Sequence, residues 1–325
     1  MIFIVSDSFD PYYNLAAEEF LMKELADEVF MLWRNDNTIV IGRNQNTLAE
    51  INYDYVKEEN IRVVRRMTGG GAVYHDKGNI NFTFIVNSAE NFSNYEAFTA
   101  PVIGFLRSLG VDASLKGRND LVIGDQKISG NAQYLHKGRM LHHGTLLYDA
   151  SQNKLEQALK VSKQKIKSKG IQSVRSRVTN IASHMEVKMA PEVFMEALAE
   201  YVLNRTENCQ FVDLKQYESD ILKLRNEKYA TWEWNFGYSP KYEFCRKKRF
   251  PFGEVEVNIQ TGDEGVIRGI KIYGDFFSKK PVNELENLFC GVKHESHAVM
   301  EKLNNVTVSD YIAGMSEEEF LSVLF

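Results

Sequence analysis

Apolar and polar residues alternate with period two over 79–86, where Ile80, Phe82, Phe84 and Val86 interleave with Asn79, Asn81 and Thr83. That period predicts a half-buried strand. Earlier in the chain Ala17, Phe20, Leu21 and Leu25 recur at helical spacing while Glu18, Glu19, Lys23 and Glu24 fall elsewhere, which predicts a core-packing helix capped by Asn14. The runs "VFMLWR" and "TIVIGR" flank Asn35-Asp36-Asn37 and read as a hairpin, because Asn and Asp tolerate turn geometry. "IRVVRR" is a strand that delivers the chain into a glycine run, and Ser93 to Gly110 reads as a helix ended by glycine. "DLVIGDQKISG" predicts a second hairpin turning at Gly124-Asp125, followed by a strand in "HHGTLLYD". Ala190 to Asn204 reads as a helix. Gly237 and Pro240 then interrupt the aromatic segment "TWEWNFGYSP". Near the end, "RFPFGEVEVNIQ" and "VIRGIKIYGDFF" surround "TGDEG" as a hairpin, and two or three helices close the chain, the last with Ser316 and Glu319 as a capping box. Short-turn strands with interspersed helices and no regular alternation predict an α+β fold rather than a doubly wound one.

A chain of 325 residues exceeds the usual single-domain size, and the aromatic segment supplies a natural division into a large domain, 1–245, and a small one, 246–325. The apolar share of 44% is that of a globular protein. A net charge of -5 argues against a general nucleic-acid binder. The opening apolar run ends at Ser6-Asp7 without a basic region before it, too short for a signal peptide or a membrane span, so a cytoplasmic protein is expected. Cys209, Cys245 and Cys290 show no CxxC spacing, which suits free thiols. His294 and His297 lack a nearby carboxylate or cysteine set and read as solvated helix residues rather than metal ligands.

The densest candidate chemistry is "RRMTGGGAVYHD", from Arg65 to Asp76. A glycine run lets backbone approach a ligand closely, and guanidinium groups hold anions, so a phosphate or carboxylate is the first expectation. A Walker loop would need Gly-Lys-Ser/Thr and a following helix, and a dinucleotide fingerprint would need glycine where Tyr74 stands; strand-like residues follow instead. From this segment alone, a glycine-rich turn with two surface arginines remains open.

"RRMTGGGAVYHDKGNINFTF", "GRNDLVIGDQKISGNAQ", "HHGTLLYD", "KGIQSVRSRVTNI" and "WEWNFG", in this order, resemble the lipoate-protein ligases. The resemblance is close over about residues 1 to 245; the tail is similar to the family's small C-terminal domain in size and position. It implies the biotin/lipoate-protein ligase fold: a large catalytic domain of mixed sheets flanked by helices, plus a small α+β domain. It further implies activation of lipoate by ATP to lipoyl-AMP and transfer to a lysine of an acceptor domain, an E2 subunit of a 2-oxoacid dehydrogenase or the glycine cleavage H protein. Arg66, Gly71, Ala72, Val73 and Tyr74 match the family's ATP and adenylate contacts, and Lys127 its active-site lysine, bridging phosphate and acyl group. Gly70 and Lys127 are carried over to the lipoate side. The family also implies a monomer, and a small domain that swings as the adenylate forms.

Further readings join these. Asp120, after Asn119, is a candidate Mg²⁺ ligand near the phosphates, since magnesium takes a carboxylate plus substrate oxygens; a turn-capping role is the alternative. Adjacent His142 and His143 point to opposite faces of a strand, and His143 is favoured for the pocket. Between Lys160 and Arg177 seven cations occur without an acid, a solvated segment or one that steers an acidic acceptor or closes over the adenylate. Two rival functions are an ATP-independent lipoyl or octanoyl transferase, which in its thioester form needs a reactive cysteine, and a non-catalytic lipoate-binding protein.

Overall fold

The computed structural model describes residues 1–88, 90, 92–159, 178–236, 244–261 and 266–325. The basic stretch 160–177, and with it the steering and closure readings, lies outside the described residues, as do the breaker positions Gly237 and Pro240.

The first part of the chain forms β1 (Ile2–Val5), β2 (Val29–Trp33), β3 (Thr38–Ile41), β4 (Arg62–Arg65), β5 (Val73–His75) and β6 (Asn79–Val86). β7 (Ala113–Lys116), β8 (Asp120–Ile123), β9 (Gln126–His136), β10 (Arg139–Leu147) and β11 (Gln210–Phe211) follow. β12 (Phe244–Phe250), β13 (Gly253–Thr261) and β14 (Ile267–Gly274) belong to the second part. One eight-stranded sheet runs β11-β1-β2-β6-β10-β9-β8-β7, a three-stranded sheet runs β4-β3-β5, and another runs β12-β13-β14. The large sheet is mixed: β1 pairs in parallel with both β11 and β2, whereas β2, β6, β10, β9 and β8 pair antiparallel in succession. The fold is α+β.

Both faces of the large sheet are covered. Phe30 and Leu32 of β2 pack with Phe82, Phe98, Phe105 and Phe194, where the helices Tyr95–Ser108 and Pro191–Leu203 lie. Met31 and Trp33 of the same strand face Leu15, Leu21 and Val40, on the side of the helix Pro11–Glu24. Complete burial of a Phe or Leu side chain contributes about 1.5–3 kcal/mol, so this double layer is the main source of stability. The small unit has its own core, with Val255, Val257, Ile270 and Ile272 packed against Leu285, Phe289, Val299 and Phe320. Its helices are Val282–Phe289, Ser296–Leu303 and Glu317–Leu324, with a single turn at Val308–Tyr311. The capping box at Ser316 and Glu319 is formed in both directions. Among the described residues no helix is long and apolar enough to cross a membrane.

Four expectations are corrected. The Asn35–Asn37 segment turns, with Asn37 at φ 45°, but joins no hairpin. Both edges of β2 are already filled by β1 and β6, so the chain leaves for the second sheet, where β3 pairs with β4 and β5. Asn14 is not the cap of the first helix: Asp10 accepts from the Tyr12 N–H in that role, and Asn14 is buried inside the helix. β6 is buried on both faces apart from its last residue, because its polar residues face a second layer rather than water. Glu18 and Glu19, expected to lie away from the core, are buried too.

The hairpin at Gly124-Asp125 forms as read, with β8 and β9 antiparallel and Gly124 at φ 58°. A positive φ there is what glycine supplies without strain.

Candidate active site

The strand β4 leads into the glycine run, and its two arginines have different surroundings. Arg65 is buried among backbone carbonyls: its guanidinium donates to the oxygens of Gly42, Arg43 and Gln45 at 2.7–3.0 Å and to Trp234 O at 3.0 Å. Arg65 therefore fastens the 42–47 and 234–235 segments together; it does not line the cavity. Arg66 does. Its Nη2 donates to Gly69 O and Gly71 O at 2.7 and 2.8 Å, its Nη1 to Val40 O at 3.1 Å and its Nε to Thr68 Oγ1 at 2.9 Å. One planar fork thus sets the shape of the whole glycine loop. Burial lowers the Arg66 pKa to about 10, with the Glu18 carboxylate opposing the shift and Arg65 adding to it, so the group stays charged.

The three glycines also differ. Gly70 sits at φ 93°, a region closed to most L-residues, and a Cβ on Gly69 would come within 2.3 Å of Phe276 O in the small unit. A Cβ on Gly71 would meet no atom within 4 Å, so the backbone there is open on the cavity side. The small unit thereby seats its 276–277 segment against the loop, and Arg118 lies over the Phe277 ring at 4.2 Å.

A cavity open to solvent begins at this loop. At one end stand Lys127, Gly130, Asn119 and Thr145; at the other Leu15, Trp33, Val40 and Val73; Arg66, Gly70, Gly71 and His143 also line it. Of the residues read from the sequence, Arg66, Gly70, Gly71, Val73, Lys127 and His143 are therefore brought together. Ala72, Tyr74 and Asp120 flank the wall. Tyr74 points into a separate core with Ile39 and Ile41, its hydroxyl donating to Asn37 Oδ1 at 2.9 Å, since neighbours on a strand face opposite sides.

Lys127 is the second residue of the long strand β9, and its carbonyl accepts from Thr179 N at 3.0 Å. Its Nζ lies 2.7 Å from Asp120 Oδ1 across the hairpin. A Cβ on Gly130 would stand 2.8 Å from the same Nζ, so glycine at 130 leaves the ammonium its place. Among the described residues no group of three His, Cys, Asp or Glu side chains is arranged to hold a metal.

The sequence reading missed the polar layer behind the loop. His143 Nδ1 faces Glu18 Oε1 at 3.0 Å, and its Nε2 faces Thr68 Oγ1 at 2.8 Å. Thr83 donates to Glu18 Oε1 at 2.5 Å and accepts from Trp33 Nε1 at 2.9 Å. Arg66 Nε donates to Thr68 Oγ1, and the Glu18 carboxylate facing His143 Nδ1 accepts an imidazole proton there. Every donor has an acceptor, and the chain ties the first helix to the glycine loop. The buried polar face of β6 was the available signal for this layer.

Replacing Arg66 by Lys is expected to lower stability by about 2–3 kcal/mol, because an ammonium cannot reach three carbonyls and Thr68 from one position. Urea unfolding reads this directly; an unchanged midpoint would mean the loop is held by other groups.

A mixed-sheet α+β unit that holds this cavity, followed by a small α+β unit, defines the fold class. Sequence comparison specifies it: the lipoyl protein ligase A/B catalytic domain matches residues 10–203, and the bacterial lipoate protein ligase C-terminus matches residues 239–324. The chain belongs to the lipoate-protein ligase family, a family of enzymes. It is 42% identical over 332 aligned residues to lipoate-protein ligase LplJ of Bacillus subtilis (strain 168), covering 100% of each chain. P. falciparum LipL1, solved in complex with lipoate, superposes with a TM-score of 0.77 at 26% identity, over 94% of each chain. A lipoate-protein ligase A bound with ATP superposes with a TM-score of 0.62 at 28% identity, over 72% of this chain and 98% of that one.

Proposed function

We propose that this protein activates lipoate with ATP and passes the lipoyl group to a lysine of an acceptor domain. One observation carries the reading: Lys127 and the Gly70–Gly71 backbone line the same cavity as Leu15, Trp33, Val40 and Val73. A cationic end joined to an apolar slot suits a carboxylate with a long alkyl tail meeting a nucleotide phosphate.

A carboxylate is a poor acyl donor near neutral pH, so its oxygen must first gain a leaving group. The lipoate oxygen attacks the α-phosphorus of ATP, the bond to pyrophosphate breaks, and lipoyl-AMP forms. The neutral amine of the acceptor lysine then attacks the acyl carbon, the bond to AMP breaks, and the amine loses a proton as the amide forms. Lys127 is the group that offsets negative charge in both steps, and the backbone of 71–74 with Arg66 holds the adenylate. His143 acts from behind the loop, keeping Thr68 and Arg66 in register, and contributes to the lipoate side of the wall.

Mg²⁺ accompanies the ATP in this reading. The protein offers it the Asp120 carboxylate, which fits magnesium's habit of taking one carboxylate besides phosphate and water oxygens only when Lys127 turns from Asp120 to substrate. The acceptor is an apo lipoyl domain of an E2 subunit or the H protein, and the enzyme works as a cytoplasmic monomer. The functional division falls at 245/246, with the small domain lifting from the loop once the adenylate is made.

A thioester-forming transferase is disfavoured because none of the three cysteines lines the cavity, and burial raises the Cys209 thiol above its usual range. Pyrophosphate release on adding lipoate and ATP, followed by a lipoyl mass increment on an apo lipoyl domain, is the expected result. Transfer from a lipoylated carrier without ATP would replace this reading by the transferase.

A further inference from the structure

The far end of the cavity presents a buried donor that the mechanism does not use. His75 lines the cavity at 2% exposure and stands edge-on to Trp33, with ring centroids 6.3 Å apart. Its Nε2 has no hydrogen-bond partner among the described residues.

The position of its proton follows from its neighbours. Asn14 Nδ2 lies 2.9 Å from the carbonyl oxygens of both Ser8 and Arg34, which fixes the orientation of that amide. The Asn35 group 3.0 Å from the same Nδ2 must be its Oδ1, since a second NH2 there would face donor with donor, which leaves Asn35 Nδ2 facing His75 Nδ1 at 3.2 Å. An amide nitrogen only donates, so Nδ1 accepts and the ring proton sits on Nε2. Burial, with Arg66 and His143 nearby, lowers the His75 pKa to about 3, so the ring is neutral. The result is a single buried N–H, without a partner among the described residues, on a residue that lines the slot.

Its distance from the reacting end follows from the sheet. Lys127 lies on β9, and β10 and β6 separate that strand from β2, which carries Trp33. Three strand spacings amount to about 14 Å, the scale of a medium-chain acid's tail, so an acid with its carboxylate near Lys127 can bring its far end to the β2 side of the cavity, where His75 stands beside Trp33.

We infer that His75 Nε2–H selects for an acid whose tail ends in a hydrogen-bond acceptor, a sulfur-bearing ring, over a plain alkyl acid of similar length. The inference rests on the proposed lipoate slot and deepens it. A dithiolane sulfur offers lone pairs to the N–H, weakly. The N–H is already shut off from water and unpaired in the protein alone, so an octanoyl tail leaves that cost in place while a sulfur acceptor relieves it, and the relief is the discrimination.

The test is the ratio of kcat/KM for lipoate over octanoate, read as pyrophosphate release from the full chain with ATP. A ratio of about ten or more is expected for the wild type. His75→Asn keeps an acceptor for Asn35 but withdraws the deep donor, and the ratio should fall several-fold toward one. His75→Gln puts an amide N–H back near the Nε2 position and should recover most of it. The ratio is independent of the fraction folded. Should both variants fail to fold, the Nε2–H proton resonance of the wild type is expected to shift on adding lipoate and to stay in place with octanoate. A wild-type ratio near one, an Asn variant that keeps the preference, or a resonance unmoved by lipoate overturns the inference while leaving the ligase reading intact. No pyrophosphate with either acid would overturn both.

Discussion

Lys127→Ala is expected to slow lipoate activation by roughly a hundredfold or more while leaving the protein folded, the loss usual for removing a preorganised charge stabiliser. Structure separates the two effects. The backbone of residue 127 pairs with Val122 and accepts from Thr179 N, and Ala keeps both interactions. The side chain meets Asp120 at 2.7 Å, with each partner 37% exposed, and such a pair contributes at most about 1 kcal/mol after solvent screening. The lost group faces the cavity, beside Gly130. Single-turnover formation of the acyl adenylate, compared with urea unfolding, measures both sides. Near-normal turnover in a folded Ala variant would remove Lys127 from the chemistry, and a collapse in stability would make it a structural residue instead. Lys127→Arg should rescue little, because the fork must fit where a single methyl on Gly130 would already crowd the ammonium.

How much of this was readable in advance depends on whether an element's fate is decided locally. The β8–β9 hairpin was legible because Gly124 supplies the positive φ within the turn itself, and the capping box at Ser316 because its partners lie three residues apart. The pairing of β3 was not, since it depends on β2 having both edges occupied by strands from elsewhere in the chain. Asn14 looked like a cap because Asn favours that position, yet its amide is used in the interior to orient Asn35. Glu18 looked like a solvent-side residue of an amphipathic helix; only tertiary packing brings His143 and Thr83 to its carboxylate.

The same reasoning accounts for what was found of the site and what was not. The residues that line the cavity near the glycine loop were visible as an unusual composition, because closely approached backbone demands glycine. Trp33, Asn81 and His75 were invisible as a group: each lies on a different strand, and each is an ordinary residue in its own segment. The buried polar face of β6 was the trace they left. A strand with Asn, Asn and Thr on one face normally borders water; here that face borders a cavity and its supporting hydrogen bonds.

That buried polar layer sets the expected response to acid. His75 and His142 are fully enclosed, and burial drives both well below the ordinary histidine value of 6.5, to about 3, with Arg66 and His143 adding to the shift at His75 and His143 at His142. Above pH 6.5 neither state of the protein binds the extra protons, so stability is at its plateau. As pH falls from 6.5 toward 3, the unfolded chain protonates both rings and the folded chain does not, so stability is progressively lost across that window. By pH 5 each ring accounts for about 2 kcal/mol, and together about 4 kcal/mol, a large fraction of the 5–15 kcal/mol typical of a folded protein. His142 offers the cleaner test because it is sandwiched by aromatic rings, with centroids 5.0 Å from Phe98 and 5.9 Å from Phe82; Phe fits between them but strands the Gln133 and Asn131 amides, a loss common to every pH. The urea midpoint of the wild type should therefore drop steeply between pH 7 and pH 5, and His142→Phe should show about half that slope whatever its stability at pH 7. A wild-type midpoint flat across this range would mean that the enclosed rings take up protons in the folded state, and the neutral Nε2–H assigned to His75 would lose its physical basis.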